Sequence, residues 1–405
     1  MKPIVRAGRM KPVHSDIRGP LFVEAMKRQK LGIDILKLNT GNPATFGFGL
    51  PDSIKNALME HMQDGVGYCD FKGMPQARQA ICDYETSKGI KGITPDDVFI
   101  GNGVSEVVSF ALTPLLNDGD EVLVPSPSYS LWGNSVYLED GKPVFYTCDE
   151  QANWYPDIQD IRSKITDKTK AIVIINPNNP TGVLYPKELL LEIIQIARES
   201  GLLIFADEIY DRLVMDGKQH ISLASLTEDV PVITLNGLSK SHCLCGYRCG
   251  WMVISGPREL TEDYRQGIIQ LTSLRLCANT MAQIVIPAAL DDMETPASMV
   301  RPGGRIYEQR EATVRELEKI DGLSFVKNDA AFYVFPKLDV KKFNITNDKQ
   351  FAHDLLDATN ILLVPGSGFD WKDPDHFRIV MLPQADILSD AIRRMGTFLD
   401  GYKQK

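Results

Sequence analysis

The segment KAIVIINPNNPTGVLYPKELLLEIIQIARESGLLIFADEIYD, residues 170–211, contains two apolar runs on either side of an amphipathic stretch. The runs at 170–176 and 202–207 show no polar alternation, which is typical of strands covered on both faces. Between them, PKELLLEIIQIARES begins with Pro186. Its apolar residues fall on one helical stripe, formed by Leu189, Leu190, Ile193, Ile194 and Ala197. The segment therefore predicts a strand, a crossover helix and a second, parallel strand.

Similar short runs occur on both sides of this segment, from about residue 98 to residue 254. The predicted strands are VFIG (98–101), EVLVP (121–125), PVFYTC (143–148), KAIVIIN (170–176), LLIFAD (202–207), VITLN (232–236) and GWMVIS (250–255). Helical patterns alternate with them. The expected fold class is therefore α/β, with a mostly parallel central sheet.

The pattern changes after Arg301 to helix, strand, strand, helix, with AFYVFPKL and FRIVML as the strands. This change predicts a smaller α+β domain. The first fifty residues are rich in glycine and proline and form no compact unit of their own, so we expect them to pack with that domain. With 405 residues, the chain has room for an N-terminal segment 1–49, a large domain 50–297 and a small C-terminal domain 298–405.

Composition and charge exclude several classes of protein. Hydrophobic residues make up 43% and charged residues 24% of the chain, which excludes disordered and fibrous proteins. A net charge of -9 gives no general attraction for nucleic acid, so an anion must be bound by a local device such as a helix N-terminus or one arginine. The basic N-terminus lacks the apolar core of a secretory signal, and no apolar run is long enough to span a bilayer. We expect a cytoplasmic protein with no nucleic-acid or membrane partner.

The segment NGLSKSHCLCGYRCGW, residues 236–251, combines Lys240 with three cysteines. It has three interpretations: a metal site, a redox site, or a lysine that binds a carbonyl cofactor covalently. Cys243, Cys245 and Cys249 lack the paired spacing of zinc ribbons and no histidine cluster completes them, so no metal site is predicted. A redox role has no support from the sequence. The chain has seven cysteines, expected to be reduced, and these three are expected to pack around a buried turn.

Polar motifs lie at the carboxyl ends of the predicted strands, where ligands bind in open parallel sheets. IGNGVSEVV opens a helix, so the backbone N–H groups of Gly103, Val104 and Ser105 are placed to bind a phosphate. This motif is not the GxGxxG fingerprint, so it gives no indication of a dinucleotide. INPNNPTG predicts a rigid turn that presents Asn179, although an ordinary loop is the simpler interpretation.

The motif FADEIYD places Asp207 at a strand end and Tyr210 one helical turn further on. N-capping of that helix is the alternative role for Asp207. One cofactor requires the groups that lie at these successive strand ends: a phosphate site, an amide, an acid, a phenol and Lys240. Pyridoxal phosphate requires a phosphate site, a Schiff-base lysine and an acid that keeps its pyridine nitrogen protonated.

The chain resembles a known family in these motifs. GNGVSE, NPNNPTG, FADEIYD, NGLSK and GYRCGW occur in the order found in class I aminotransferases of the type I pyridoxal phosphate fold. From about residue 16 to the C-terminus, DIRGP, LKLNTGNPA, GYCDFKG, GRIYEQR and FRIVMLP resemble more closely the bacterial glutamate-pyruvate (alanine) aminotransferases.

The resemblance implies a reaction and a cofactor. The cofactor is pyridoxal 5′-phosphate, and an amino group moves between L-alanine and 2-oxoglutarate, giving pyruvate and L-glutamate, by ping-pong chemistry through a Lys240 Schiff base. The alternatives are aminotransfer from aspartate, aromatic or branched-chain amino acids, a pyridoxal phosphate lyase on the same fold, and a regulator that holds the cofactor without catalysis. Retention of a clamp for the substrate carboxylate argues against the regulator.

The resemblance also implies roles for single residues. Lys240 anchors the cofactor and moves a proton between substrate and cofactor. Asp207 pairs with the pyridinium nitrogen, while Tyr210 and Asn179 bind the phenolic oxygen. The other cofactor-binding residues implied are Gly103, Val104, Ser105, Ser239 and Arg248 around the phosphate, Tyr129 on the ring, and Tyr68 from the second subunit of a homodimer.

The substrate-binding residues implied are Arg378 for the α-carboxylate, with Gly41 and Asn179 beside the substrate. Arg378 has a simpler interpretation as half of an ion pair. Glutamate brings a second carboxylate, and we hypothesise that Arg18, in a mobile N-terminal segment, binds it and withdraws when alanine is bound.

Two positions depart from the resembling enzymes, which have a tyrosine at position 15 and an arginine at position 243, where this chain has Ser15 and Cys243. Both positions are expected to lie near the site, where they affect substrate preference and packing beside the phosphate. Cys243, close to a lysine and an arginine, is expected to have a lowered pKa and to be open to oxidation.

Overall fold

The computed structural model describes residues 2–405; Met1, the first residue of the predicted N-terminal segment, lies outside the described residues. The strands are β1 (Leu36–Lys37), β2 (Val98–Asn102), β3 (Glu121–Ser126), β4 (Lys142–Asp149), β5 (Tyr155–Pro156), β6 (Thr169–Ile175), β7 (Leu203–Asp207), β8 (Val232–Gly237), β9 (Cys249–Ser255), β10 (Leu323–Ser324), β11 (Tyr333–Val334), β12 (Lys337–Leu338), β13 (Ile361–Leu362), β14 (Val364–Pro365) and β15 (Phe377–Val380). The α-helices are α1 (Pro20–Lys30), α2 (Asp52–His61), α3 (Pro75–Ser87), α4 (Val104–Leu112), α5 (Leu131–Leu138), α6 (Ile158–Lys164), α7 (Lys187–Ser200), α8 (Leu238–Ser241), α9 (Arg258–Arg275), α10 (Thr280–Ile284), α11 (Ile286–Asp291), α12 (Glu294–Val300), α13 (Arg305–Leu317), α14 (Asp348–Thr359) and α15 (Ala385–Leu399).

The central sheet has eight strands in the order β2-β9-β8-β7-β6-β3-β4-β5. The pairs β8–β7, β7–β6, β6–β3 and β3–β4 are parallel, whereas β9 runs antiparallel to both β8 and β2. All seven predicted strands are present, and their apolar residues are buried on both faces of the sheet. The predicted α/β class with a mostly parallel sheet is confirmed.

Helix α7 is the crossover between β6 and β7. Its predicted stripe is buried against the sheet, where it joins Ile172 and Ile204 in one apolar cluster. Pro186 precedes the helix, and Gly201 ends it in a left-handed conformation with φ of 65° that only glycine adopts readily. The crossover therefore places the ends of β6 and β7 at the same edge of the sheet.

The C-terminal part differs from the predicted order of helix, strand, strand, helix. AFYVFPKL does not form one strand: β11 pairs with β15 and β12 pairs with β10, on either side of Pro336. Proline has no N–H to donate to a ladder, so it interrupts the strand. Helix α14 was not predicted, although its apolar residues Phe351, Leu355 and Leu356 are fully buried.

The N-terminal segment contacts the C-terminal part of the chain. Strand β1 pairs in parallel with β13, and α1, which was not predicted, lies against α14 and β13. These contacts agree with the expected packing of the first fifty residues, and the division into domains stays a prediction.

Within residues 2–405 no single helix is both long and apolar enough to cross a membrane. Arg258–Arg275 and Thr280–Asp291 meet the length and composition criteria only when taken together across a bend of 118°.

Candidate active site

The carboxyl ends of the central strands bring the predicted site residues to one edge of the sheet. Gly103 follows β2, Asn179 follows β6, Asp207 ends β7, and Lys240 lies in α8 directly after β8. Strand β2 runs in the same direction as β8 because both are antiparallel to β9. The turns and helices that carry these residues therefore share one side of the sheet.

Gly103 and Arg248 form an anion-binding corner at the N-terminus of α4. A Cβ on Gly103, whose φ is 83°, would lie 2.5 Å from Arg248 Nη2, so only glycine lets the guanidinium approach this closely. Arg248 is held by a hydrogen bond from Nη1 to the Cys245 carbonyl at 3.1 Å. It pairs with no acid in the described chain, and the first N–H groups of α4 lie beside it. The guanidinium and the positive end of the helix dipole favour an anion such as phosphate.

Asp207 is a buried carboxylate without a cationic partner. Its side chain is 4% exposed and accepts a hydrogen bond from Trp132 Nε1 at 3.0 Å. Burial raises the pKa of Asp207 to about 6, although the bond from Trp132 favours the charged form. A carboxylate in this position is ready to pair with a cation that enters the site.

The residues after Asp207 form turns rather than the expected helix. Asp211 N–H donates to the Glu208 carbonyl at 3.0 Å, and Leu213 N–H donates to the Tyr210 carbonyl at 2.9 Å. The predicted helical spacing between Asp207 and Tyr210 is therefore wrong, and the alternative role of Asp207 as a helix N-cap does not apply. The chain must leave the sheet within a few residues here, and two overlapping four-residue turns accomplish this without a helix.

We expect Asp207→Asn to stabilise the ligand-free protein, and to do so more at pH 7 than at about pH 4.5. The folded pKa of about 6 lies above the ordinary value of 3.8, so between these values the folded state binds more protons than the unfolded state. Wild type therefore loses roughly 3 kcal/mol of stability as pH rises through this window. Thermal unfolding of both proteins at several pH values measures the difference, and a constant difference across the window would contradict it.

Lys240 extends across the site from α8. Its Nζ donates to the Gly41 carbonyl at 2.9 Å and lies 3.9 Å from the Cys245 thiol. Burial lowers the pKa of Lys240, but Tyr333, Cys245 and Tyr129 outweigh it, so the pKa lies above its ordinary value. No carboxylate forms an ion pair with this ammonium anywhere in residues 2–405.

Arg378 is buried in β15 with 1% of its surface exposed. Its Nη1 donates to Asn179 Oδ1 at 2.8 Å, its Nη2 donates to the Asn39 carbonyl, and its Nε has no partner. The guanidinium is sandwiched by aromatic rings, with Cζ 4.5 Å from the centre of Tyr333 and 4.6 Å from that of Phe369.

The ion pair that was the simpler interpretation of Arg378 is not formed with any acid among the described residues. Burial lowers the pKa of Arg378, which measures the cost of keeping the charge inside the protein. Buried charges without partners are expensive and are rarely retained without a ligand to meet them. The charge of Arg378 and its unpaired Nε are therefore suited to bind a carboxylate.

Tyr210, Gly41 and Tyr333 pack between Lys240 and Arg378. The Tyr210 and Tyr333 hydroxyls are 2.9 Å apart. A Cβ on Gly41 would lie 2.2 Å from the Tyr333 hydroxyl, so this position excludes any side chain. Burial raises the pKa of Tyr210 well above its usual range, so its hydroxyl keeps its proton.

The structure adds three site residues that the sequence analysis missed. Trp132 orients Asp207, the Asn39 carbonyl holds Arg378, and Tyr333 contacts both Tyr210 and Arg378. The only signals for them were proximity in the chain, since Trp132 follows Tyr129 by three residues and Asn39 precedes Gly41 by two. Tyr333 had no signal, because it lies in an apolar run that reads as core.

Tyr129 and Ser239 lie close to the lysine turn, whereas Tyr68 is a surface residue of the single chain. Tyr129 is near enough to raise the pKa of both Lys240 and Arg378. The Ser239 carbonyl accepts a hydrogen bond from the Cys245 thiol at 2.9 Å. Tyr68 is 83% exposed on the single chain.

Arg18 is exposed in the turn before α1, and Ser15, which precedes that turn, is also exposed. The carbonyl of the neighbouring Ile17 accepts a hydrogen bond from Asn39 Nδ2 at 2.8 Å. Because the Asn39 carbonyl also binds Arg378, the turn that carries Arg18 is linked to the carboxylate-binding arginine through one residue.

The prediction that Cys243 has a lowered pKa is wrong. Burial raises the pKa of its thiol to about 12, and the cations Lys240 and Arg305 do not compensate. The three cysteines also point to different places: Cys243 towards Met299, Cys245 towards Ser239, and Cys249 into the core. They fill the space around the lysine turn.

A buried group next to the site, formed by Glu208, Asp211 and His220, has the spacing of a metal site. Lys88 Nζ already lies 2.7 Å from Glu208 and 3.3 Å from Asp211. The lysine supplies the positive charge that these acids require.

Comparisons with known proteins agree with this geometry. Residues 33–392 match the family model of class I and II aminotransferases. The chain is 50% identical over 404 residues to the glutamate-pyruvate aminotransferase AlaA of Haemophilus influenzae, with all of both chains covered.

Two solved structures are also similar. An aminotransferase from Escherichia coli is 47% identical, with a TM-score of 0.98 and all of both chains covered. An alanine aminotransferase from Pyrococcus furiosus is 41% identical, with a TM-score of 0.92 and coverage of 98% of this chain and 100% of that one. The central sheet is thus that of the fold type I enzymes, and the chain belongs to the class I and II aminotransferases.

Proposed function

We propose that this enzyme transfers an amino group between L-alanine and 2-oxoglutarate, giving pyruvate and L-glutamate, with pyridoxal 5′-phosphate as its cofactor. The observation that carries the proposal is Arg378, a fully buried guanidinium that has no acid partner in the described residues and lies across from Lys240. Both substrates carry a carboxylate next to the reacting carbon, and a two-pronged guanidinium suits this group.

The charges of the site fit the cofactor. Asp207 is a buried anion without a cation, and Arg248 is a cation without an acid beside the start of α4. A ligand with a protonated ring nitrogen at one end and a phosphate at the other satisfies both. When bound, pyridoxal phosphate supplies an electron sink next to the α carbon of the substrate.

Several side chains hold that ligand in the proposal. The N–H groups of Gly103, Val104 and Ser105, with Arg248 and the Ser239 hydroxyl, bind the phosphate. Asp207 holds the proton on the ring nitrogen, and Trp132 keeps its carboxylate oriented. Tyr129 stacks on the ring.

Asn179 and Tyr210 complete the proposed cofactor site. Asn179 Oδ1 is already engaged by Arg378, which leaves its Nδ2 free to donate to the phenolic oxygen. Tyr210, protonated because of its burial, donates to the same oxygen.

Lys240 and Arg378 act on the substrate. Arg378 binds the carboxylate and so sets the orientation of the α carbon. With the cofactor bound, Lys240 Nζ would anchor it and would serve as the base that moves the proton of that carbon. Gly41 has no side chain, so its backbone lies close against the Tyr333 hydroxyl, and in the proposal this backbone also lies along the substrate.

The choice of alanine is supported by the names of the relatives in Haemophilus influenzae and Pyrococcus furiosus, which are at least 41% identical over nearly the whole chain. Aspartate, aromatic or branched-chain donors and a lyase remain the alternatives to be tested. Initial rates with L-alanine and 2-oxoglutarate, both varied, are expected to give the parallel double-reciprocal lines of ping-pong exchange. A higher kcat/KM for another donor would overturn the substrate assignment, and keto-acid release without an acceptor would indicate a lyase.

We expect Arg18→Ala to raise the KM for L-glutamate about tenfold while the KM for L-alanine stays within twofold. Arg18 is exposed and lies next to Ile17, which is hydrogen-bonded to the residue that holds Arg378, and in the proposal its side chain binds the second carboxylate of glutamate. Steady-state kinetics with each amino acid measure the ratio, and Arg9→Ala is the matched control on the same segment. An equal loss for both amino acids would refute this role.

A homodimer is also part of the proposal. Tyr68 is 83% exposed, and Met62 and Val66 beside it are 55% and 76% exposed, which is unusual for apolar residues of one short segment. A second copy covering this segment would bring Tyr68 to the phosphate of its partner. Sedimentation equilibrium is expected to give twice the chain mass of 45.2 kDa, and a monomer would contradict it.

A further inference from the structure

The Tyr210–Tyr333 pair connects the proposed cofactor and carboxylate sites. Tyr333, at the start of β11, is 2% exposed, and Tyr210 is 3% exposed. Their hydroxyls are 2.9 Å apart, and among residues 2–405 neither has another hydrogen-bond partner. Two buried hydroxyls therefore share one hydrogen bond.

Contacts of its ring, its backbone and its hydroxyl fix Tyr333 in place. Its ring lies beneath the Arg378 guanidinium at 4.5 Å and against Phe332 with centroids 4.8 Å apart. Its backbone pairs with Val380 in the antiparallel ladder of β11 and β15. Its hydroxyl fills the space that a side chain at Gly41 would need. The hydroxyl therefore has little freedom to turn away from Tyr210.

The direction of the hydrogen bond follows from counting donors. If Tyr210 donated to Tyr333, the proton of Tyr333 would have no acceptor, and Tyr210 would have no proton left for a ligand. An unsatisfied buried hydroxyl is costly. Because the proposed acceptor, the phenolic oxygen, lies beside Tyr210, both protons are used when Tyr333 donates to Tyr210 and Tyr210 donates to that acceptor.

We propose that Tyr333 is a positioning residue that donates to the Tyr210 oxygen and so directs the Tyr210 proton to the phenolic oxygen of the cofactor. This inference rests on the proposed function. Tyr333 does not need to contact the phenolic oxygen, because it acts through Tyr210. A hydroxyl that accepts one hydrogen bond becomes a better donor in the next, so Tyr333 also strengthens the bond that Tyr210 makes.

The effect should appear in the pKa of the nitrogen that joins Lys240 to the cofactor. While protonated, this nitrogen donates to the phenolic oxygen and partly neutralises it. After the nitrogen loses its proton, the oxygen depends on protein donors. A strong Tyr210 donor therefore favours the unprotonated form and lowers the pKa of the nitrogen, and removal of the Tyr333 hydroxyl raises it.

We test this by titrating the absorbance of the lysine-bound cofactor against pH in the complete enzyme. Tyr333→Phe is expected to raise the apparent pKa by ~0.3 units, and Tyr210→Phe by about 1 unit or more. Because Tyr333 acts through Tyr210, the double variant is expected to match Tyr210→Phe. Tyr264→Phe, which loses a hydroxyl bond to the Ala111 carbonyl at 2.6 Å far from the site, is the control and should superimpose on wild type.

The ring and the hydroxyl of Tyr333 have separable effects. Tyr333→Phe keeps the ring beneath Arg378, so the KM for L-alanine is expected to stay within about twofold, whereas Tyr333→Leu should raise it. A Tyr333→Phe titration that superimposes on wild type, or a double variant whose shift is the sum of the single shifts, overturns the inference alone. A wild-type enzyme with no lysine-bound absorbance overturns the proposed function and the inference with it.

Discussion

Lys240→Ala is expected to lower kcat at least ~10⁴-fold and to remove the absorbance of the lysine-bound cofactor. The variant loses both the amine that holds the cofactor and the base that moves the substrate proton. Spectra and single-turnover rates of the reconstituted protein measure both losses.

Lys240→Arg is the matched control for charge. Arginine keeps a cation near the Gly41 carbonyl, which Lys240 binds at 2.9 Å, but its guanidinium does not form a Schiff base at neutral pH. We expect the same loss as for alanine. If the arginine variant kept more than about a hundredth of the wild-type rate, the amine would not be the reacting group.

Arg378→Met is expected to lower kcat/KM for L-alanine by about 10³-fold, or roughly 4 kcal/mol, and at the same time to raise the thermal midpoint of the ligand-free protein. The first effect follows because the substrate carboxylate loses the buried cation that binds it. The second follows because the variant no longer has to bury a charge without an acid. Steady-state kinetics and calorimetry on the same preparations measure the two effects.

Arg310→Met provides the contrast, because Arg310 is also fully buried but is paired with Asp216 through two bonds of 2.7 Å. Its loss removes that ion pair and the hydrogen bond from Nη1 to the Asn328 carbonyl, so we expect a lower thermal midpoint and an unchanged KM for L-alanine. If both arginine variants were destabilised equally, Arg378 would be a structural residue.

The central sheet could be predicted from the sequence because the pattern of each strand lies within a few consecutive residues. The runs at 170–176 and 202–207 are apolar on both faces, and the stripe of α7 has helical spacing, so each element could be recognised from its own residues. The elements that were missed are short or interrupted. Strands β11 and β12 have two residues each and depend on pairing with distant partners.

The site was predicted in its charged residues and missed in the residues that hold them. Arg378 stood out as a cation in an apolar strand, but its bond to the Asn39 carbonyl joins residues 339 positions apart. Nothing in the sequence indicated a role for Tyr333, because its contact with Tyr210 forms only when β11 folds against the turn after β7. The pKa of Cys243 was predicted in the wrong direction, because the neighbouring cations were apparent in the sequence whereas the burial of the thiol was not.

The most direct test of the proposed function is the absorption spectrum of the purified, cofactor-loaded enzyme before and after L-alanine is added without a keto acid. The account predicts that the band of the lysine-bound cofactor is replaced by that of the pyridoxamine form, and that 2-oxoglutarate restores it. If another amino acid converts the band and L-alanine does not, the substrate assignment is wrong. If the loaded protein has no such band, Lys240 is not the anchor and the account is contradicted.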